Sequence, residues 1–204
     1  MPMQIHSRHL DGVVVVQPDC FSDARGFFME TYREEQFEIL GLPTHFPQDN
    51  HSRSGAGVVR GLHFQYHPPM GKIIRVTRGC GYLVAVDIRK GSPNLGKWVG
   101  IESSEDNRLQ MYAPAGFARG LCALTEIVEI QYKCTAAYNQ AADVSIRWDD
   151  PQINVQWPIA NPQISQRDQN GLLLRDWLMR PESERLSYSP ALKPGAAAVS
   201  RSGV

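Results

Sequence analysis

Short apolar runs broken by turn residues constrain this chain more than any other feature. The runs are "GVVVVQP" (12–18), "GVVRGLHFQ" (57–65), "KIIRVTRG" (72–79), "GYLVAVDIR" (81–89), "GKWVGIES" (96–103), "RLQMYAPAG" (108–116) and "IVEIQYKCTAAY" (127–138). Each is rich in Val, Ile, Tyr or Trp and bounded by Gly, Pro, Asn or Asp, the composition of strand and turn. Two alternate with period 2: Ile74 and Val76 against Arg75 and Thr77, and Val128, Ile130 and Tyr132 against Glu129, Gln131 and Lys133. Helical patterns are sparse, with one short candidate over 33–41 ended by Gly41 and a turn or two within 168–178. Many short strands at regular spacing predict an all-β sandwich or jelly-roll barrel rather than βαβ units.

A length of 204 residues suits one domain with a sizeable core. No interior linker interrupts the pattern, so the expectation is a single domain over 1–185 and a flexible tail over 186–204, small and Gly/Ala/Ser-rich from about Pro194. Lys+Arg and Asp+Glu are balanced at 21 each, which argues against a non-specific nucleic-acid or membrane-surface binder. No segment approaches the roughly 20 apolar residues of a membrane span, and "MPMQIHSRHLDG" lacks the apolar centre of a signal peptide. Cys20, Cys80, Cys122 and Cys134 form no C-x-x-C pair and no disulfide framework, and the expected compartment is the cytoplasm.

The candidate chemistry centres on "VVRGLHFQYHPPMGKIIRVTRG" (58–79). Strict alternation sends Arg60 and Leu62 to one face, and Gly61, His63 and Gln65 to the other. If the second face lines a barrel cavity, His63 is suited to proton abstraction, because imidazole titrates near neutrality. A satisfied core or surface histidine fits the same pattern. Lys72 could enter the same cavity and stabilise an oxyanion or hold a phosphate, or it could snorkel from a strand end. A jelly-roll metal site would need an H-x-H pair with further ligands downstream. Here Gln65 occupies the second position and no histidine follows His67, so no metal is expected. Tyr132 reads as a proton donor or a β-core tyrosine, and Asp168 on its own reads best as a helix cap. Arg25, Arg60 and Arg119 sit beside glycines, a setting that suits phosphate contacts as well as plain surface roles.

A set of longer motifs resembles one family. They are "FSDARGFFMETY" (21–32), "FPQDNHSRSGAGVVRGLHFQ" (46–65), "GKIIRVTRG" (71–79), "VAVDIRKGSPNLGKW" (84–98), "PAGFARG" (114–120), "YKCTAAY" (132–138), "IRWDDPQINVQWP" (146–158) and "ISQRDQNG" (164–171). In this order, from about residue 10 to 180, they are similar to the dTDP-4-dehydrorhamnose 3,5-epimerases. The resemblance implies a cupin-type jelly roll and a homodimer in which a strand of one subunit helps build its neighbour's site. It implies a dTDP-linked 4-keto-6-deoxyhexose substrate and no cofactor. By position, His63 looks like the base, Asp168 the carboxylate that orients it, Lys72 the group that stabilises an enolate oxygen, and Tyr132 the acid that reprotonates from the other side. Arg25 and Arg60 match phosphate-binding positions, Glu30, Gln48 and Asn50 nucleotide-binding ones, and Tyr138 the aromatic that packs on thymine.

Two positions depart from the family pattern. Leu83 stands where relatives usually have an acid, and Arg119 where they usually have histidine. Arg119 is expected to contact the pyrophosphate. The departures point to inversion at carbon 3 only or carbon 5 only as one alternative. A pocket that has kept nucleotide binding and lost chemistry is another, and a related isomerase that moves the keto group is a third.

Overall fold

The computed structural model describes residues 3–189 and contains fourteen strands and three short α-helices. In chain order the strands are β1 (Met3–His9), β2 (Val13–Pro18), β3 (Cys20–Asp23), β4 (Gly26–Met29), β5 (Gln48–Gly55), β6 (Val58–Gln65) and β7 (Lys72–Arg78), then β8 (Cys80–Asp87), β9 (Trp98–Ser104), β10 (Gln110–Ala113), β11 (Phe117–Ala123), β12 (Ile127–Cys134), β13 (Asp143–Ser145) and β14 (Gln163–Ile164). The helices are α1 (Glu34–Ile39), α2 (Gln166–Gln169) and α3 (Leu174–Leu178).

Two sheets face each other. The first runs β1-β2-β10-β7-β12-β5 and the second β13-β6-β11-β8-β9, with β14 pairing parallel to β6. Such a pair of mostly antiparallel sheets is the jelly roll expected from strand spacing. β3 and β4 form a separate hairpin off both sheets.

The core explains why some strands alternate and others do not. Between the sheets pack Val13, Ile74, Val76, Leu83, Met111, Phe117, Leu121, Val128 and Ile130. Outside the second sheet, Leu62, Phe64, Val84, Val86 and Ile146 meet Leu174 and Trp177 from α3. Outside the first, Val14, Val16 and Ile73 meet Phe37 of α1. β2 and β8 are thus covered on both faces, which is why "VVVV" and "VAV" run apolar without a break.

The expected helix over 168–178 is two pieces, α2 and α3, separated at Gly171. There a Cβ would sit 2.8 Å from the backbone of Ile146 and Arg147. Of the expected tail, Leu186 is buried and the Tyr188 N–H donates to the Lys90 carbonyl at 2.9 Å. Residues 190–204, including the stretch from Pro194, lie outside the described residues.

Candidate active site

The strand carrying His63 breaks strict alternation, and the break builds the site. β6 pairs with β11 through His63↔Arg119 and Arg60↔Leu121, with a register shift between the two pairs. Three residues on β6 therefore span two on β11, a bulge. Leu62 and Phe64 still face outward into the α3 cluster. Arg60, however, joins His63 on the cavity side, and both line one cavity. This corrects the expectation that Arg60 and His63 face opposite ways. Gly61 makes the bulge possible. Its φ is +135°, and a Cβ there would lie 2.8 Å from the Gly120 Cα and 2.9 Å from the Arg119 carbonyl oxygen.

The cavity, about 240 Å³, opens between the two sheets. The first sheet supplies Lys72, Ile74, Ile130 and Tyr132, and the second supplies Arg60, His63, Leu83 and Arg119. Lys72 and Ile74 share a face of β7, and Ile130 and Tyr132 share a face of β12, so period 2 aims all four inward. A second, contiguous recess shares His63, Lys72 and Tyr132 and adds Gln48, Asn50, Cys134, Tyr138, Asp143 and Arg167.

His63 Nε2 lies 2.5 Å from Asp168 Oδ1. Asp168 is 3 % exposed and also accepts from the Gly61 N–H at 3.3 Å and the Ser145 hydroxyl at 3.2 Å. Burial works to raise the Asp168 carboxyl, but the hydrogen bond and charge of His63, with the Gly61 and Ser165 donors, outweigh it and hold the pKa below the ordinary value. An ionised Asp168 accepts the Nε2 proton. In the neutral ring that bond fixes the tautomer and leaves Nδ1 as the free acceptor. Asp168 is not the helix cap. Ser165 caps α2, its hydroxyl accepting from the Asp168 N–H, and the cap holds the carboxylate in place.

Across the cavity, Lys72 Nζ sits 5.0 Å over the Tyr132 ring. Desolvation, with help from the Arg119 charge, pulls the Lys72 ammonium down to about 8. Burial pushes the Tyr132 phenol above its usual value, with Cys134 and Asp143 adding to the effect, so it keeps its proton at neutral pH. The site thus sets an oriented imidazole against an ammonium and a protonated phenol. Such a set can remove a proton next to a carbonyl, hold the resulting oxyanion and return a proton.

The remaining sequence candidates divide. Gln48 and Asn50 line the second recess beside Tyr138, a residue 55 % exposed whose backbone N–H donates to Gln48 Oε1 at 2.7 Å. Arg60 is anchored on the Ser54 hydroxyl at 2.9 Å. Arg25 and Glu30 are not brought to the cavity of their own chain. Arg25 sits in the β3–β4 hairpin turn, paired with Asp23, and Glu30 pairs with Arg33. Arg119 lies inside the barrel, 4 % exposed, rather than at an exposed phosphate position. Sequence reasoning missed Ser145, Ser165 and the Arg167–Asp143 ion pair of 2.7 Å at the edge of the second recess. Arg167 stands beside Asp168 in "ISQRDQNG" (164–171), whereas Ser145 is brought in only by the pairing of β13 with β6.

Comparison with known proteins agrees with this fold. The family model described as dTDP-4-dehydrorhamnose 3,5-epimerase matches residues 7–176. The dTDP-4-dehydrorhamnose 3,5-epimerase of Methanothermobacter thermautotrophicus is 45% identical over 170 residues, covering 82% of this chain and 92% of that protein. A dTDP-4-dehydrorhamnose 3-epimerase from Streptomyces niveus is 34% identical over 176 residues, covering 85% of each. The crystal structure of a dTDP-6-deoxy-D-glucose-3,5-epimerase from Legionella pneumophila, in complex with dTDP-4-keto-L-rhamnose, superposes with a TM-score of 0.86 at 39% identity, covering 93% of this chain and all of that one.

Proposed function

The chain belongs to the dTDP-4-dehydrorhamnose 3,5-epimerase family, and from that premise we propose that its two-sheet cavity epimerises a dTDP-linked 4-keto-6-deoxyhexose, with His63 as base and Tyr132 as acid. The chain is an isomerase of dTDP-sugar metabolism, on the route to dTDP-rhamnose. The observation that carries the residue roles is the His63–Asp168 pair facing Lys72 and Tyr132 across one cavity.

The chemistry follows from the substrate. The 4-keto group acidifies the C–H bonds at carbons 3 and 5. His63 Nδ1 takes one of these protons, and the C–H electron pair becomes the C=C bond of an enolate. The Lys72 ammonium stabilises the charge that moves onto the oxygen. Tyr132 returns a proton from the opposite face, which inverts the centre. Asp168 stabilises the imidazolium while the proton resides on His63. The second recess takes the nucleotide, with Gln48, Asn50 and Tyr138 around the base and Arg60 toward the diphosphate.

The assembly is a homodimer. The β3–β4 hairpin exposes Phe21, Phe27 and Phe28, an apolar surface that a second copy would cover. Arg25 and Glu30, stranded in their own chain, then serve the partner's cavity. No helix among the described residues is long and apolar enough to cross a membrane. Cys20, Cys80, Cys122 and Cys134 are all free thiols, which fits the reducing cytoplasm.

Inversion at a single carbon is the second reading, favoured by Arg119 and Leu83 at the cavity wall. Incubation with dTDP-4-keto-6-deoxyglucose in heavy water separates the two by NMR. Deuterium at carbons 3 and 5 supports double inversion, and deuterium at one carbon supports the mono-epimerase. No deuterium at either, with dTDP still bound, overturns the enzymatic reading for this substrate.

A further inference from the structure

Gln65 is a buried amide two residues beyond His63, and the proton transfers leave it without a task. It is 2 % exposed and borders the second recess together with His63. Its polar atoms are taken up by loops. Nε2 donates to the Pro68 carbonyl at 2.9 Å and to the Ala137 carbonyl at 3.1 Å, and Oε1 accepts from the Asn139 N–H at 2.8 Å. Ala137 and Asn139 are the two neighbours of Tyr138. One side chain thus grips both flanks of an aromatic residue that is itself largely exposed beside the recess. The register of β13 on β6 also sets Asp143 opposite Gln65, and the Asp143 carboxylate accepts from the Tyr138 hydroxyl at 3.3 Å. Position 65 therefore holds the tyrosine by the backbone on either side and, through its cross-strand partner, by the tip of the ring. The contacts need an amide of this length, with two N–H donors for two carbonyls and one acceptor for an N–H.

We propose that Gln65 is a positioning residue that presets Tyr138 as the platform for the nucleotide's ring, so that one strand fixes both the imidazole and the wall on which the base packs. The inference rests on the nucleotide reading of the second recess given above. An exposed aromatic side chain on a free loop samples several conformers and loses that freedom when a ligand binds. With both flanks clamped, Tyr138 is ordered before the ligand arrives, and the stacking contact is gained without that cost. The separation between platform and base is then set by an extended strand. Two residues of β6, about 7 Å of strand, lie between the Gln65 clamp and His63. The pair selects a ligand whose flat ring stands at a fixed distance from its reacting sugar, as in a nucleoside diphosphate sugar.

Gln65→Met and Gln65→Glu test this, each made alone and in a Tyr138→Ala background, with the Kd for dTDP and the KM and kcat of proton exchange in heavy water measured on all. Met keeps the length and removes every polar contact, whereas Glu keeps the acceptor for the Asn139 N–H and loses the paired donors. Releasing one ordered side chain predicts a rise in Kd and KM of about tenfold for Met and a smaller one for Glu, with the loss confined to binding and kcat at saturation retained. In the Tyr138→Ala background neither substitution should weaken dTDP binding further. Unchanged dTDP affinity in the single variants overturns the proposal, whatever happens to their melting temperature. So does an equal loss of affinity with Tyr138 already removed, which would mean a general loosening of the recess. A fall in kcat with Kd intact also overturns it and assigns Gln65 to His63 instead. If Gln65→Met does not fold, the Glu variant decides alone by the same comparison. Unchanged dTDP affinity in Tyr138→Ala itself would overturn the nucleotide reading of the recess, and the proposal with it.

Discussion

Replacing Lys72 with methionine should make this protein more stable and less active. The ammonium lies inside the cavity, where desolvation and the nearby Arg119 charge lower it from 10.5 to about 8. The gap of about 2.5 pH units corresponds to about 3 kcal/mol at most, and water in the open cleft reduces it to about 2 kcal/mol. The sign is fixed by linkage. Below pH 8 both folded and unfolded chains carry the proton, and the folded state bears the full burden of the buried charge. Between about pH 8 and 10.5 the folded state has released the proton and the unfolded state has not, so wild-type stability rises with pH. Above that window the burden is gone. Met fills a similar volume without charge, so at pH 7 Lys72→Met should melt about 4–8 °C higher than wild type. The difference should shrink steadily to near zero by about pH 10.5. Thermal denaturation at pH 7, 9 and 10.5 checks this, alongside an exchange assay that should show activity reduced about 100-fold or more. A variant that is no more stable at pH 7, or whose advantage does not fade through that window, would refute the reasoning.

Three further outcomes follow from the site. Asp168→Asn removes the charge that steadies the His63 imidazolium and should lower kcat by about 100- to 10,000-fold with little change in dTDP affinity, read by steady-state kinetics and titration. Tyr132→Phe should still wash deuterium into the substrate on the His63 face while inversion falls about 100-fold, which NMR distinguishes directly. Gly61→Ala should destabilise the fold by about 3 kcal/mol or more, because its Cβ would meet the Gly120 Cα at 2.8 Å and the backbone sits at φ +135°; thermal or denaturant unfolding reads it.

Much of the fold is legible in the residue pattern. β2, β6, β7, β10 and β12 fall within apolar runs bounded by turn residues, and β8 and β9 each extend one residue beyond theirs. β5 is not legible because "QDNHSRSG" is polar on both faces, and it is an edge strand of the first sheet, held by pairing with β12 rather than by a hydrophobic face. β11 is legible only as part of the motif "PAGFARG". All seven of its residues are buried, so "FARGLCA" shows no alternation to read. The site's roles came from motif resemblance, since His63, Lys72 and Asp168 are each ambiguous alone. What the sequence could not convey was the bulge at Gly61, which depends on a register against β11. Period-2 reasoning therefore misplaced Arg60. Likewise, Arg119's burial depends on how far its strand lies inside the barrel, and no local pattern encodes that depth.

The central claim is that His63, oriented by Asp168, is the base that breaks a C–H bond of the bound sugar. Deuterium incorporation from heavy water into dTDP-4-keto-6-deoxyglucose, compared between wild type and His63→Ala at matched dTDP occupancy, tests it most directly. The account predicts rapid incorporation in the wild type and loss of about 1,000-fold or more in the variant, with dTDP binding preserved. Incorporation at comparable rates in both proteins would contradict it and place the base elsewhere in the cavity.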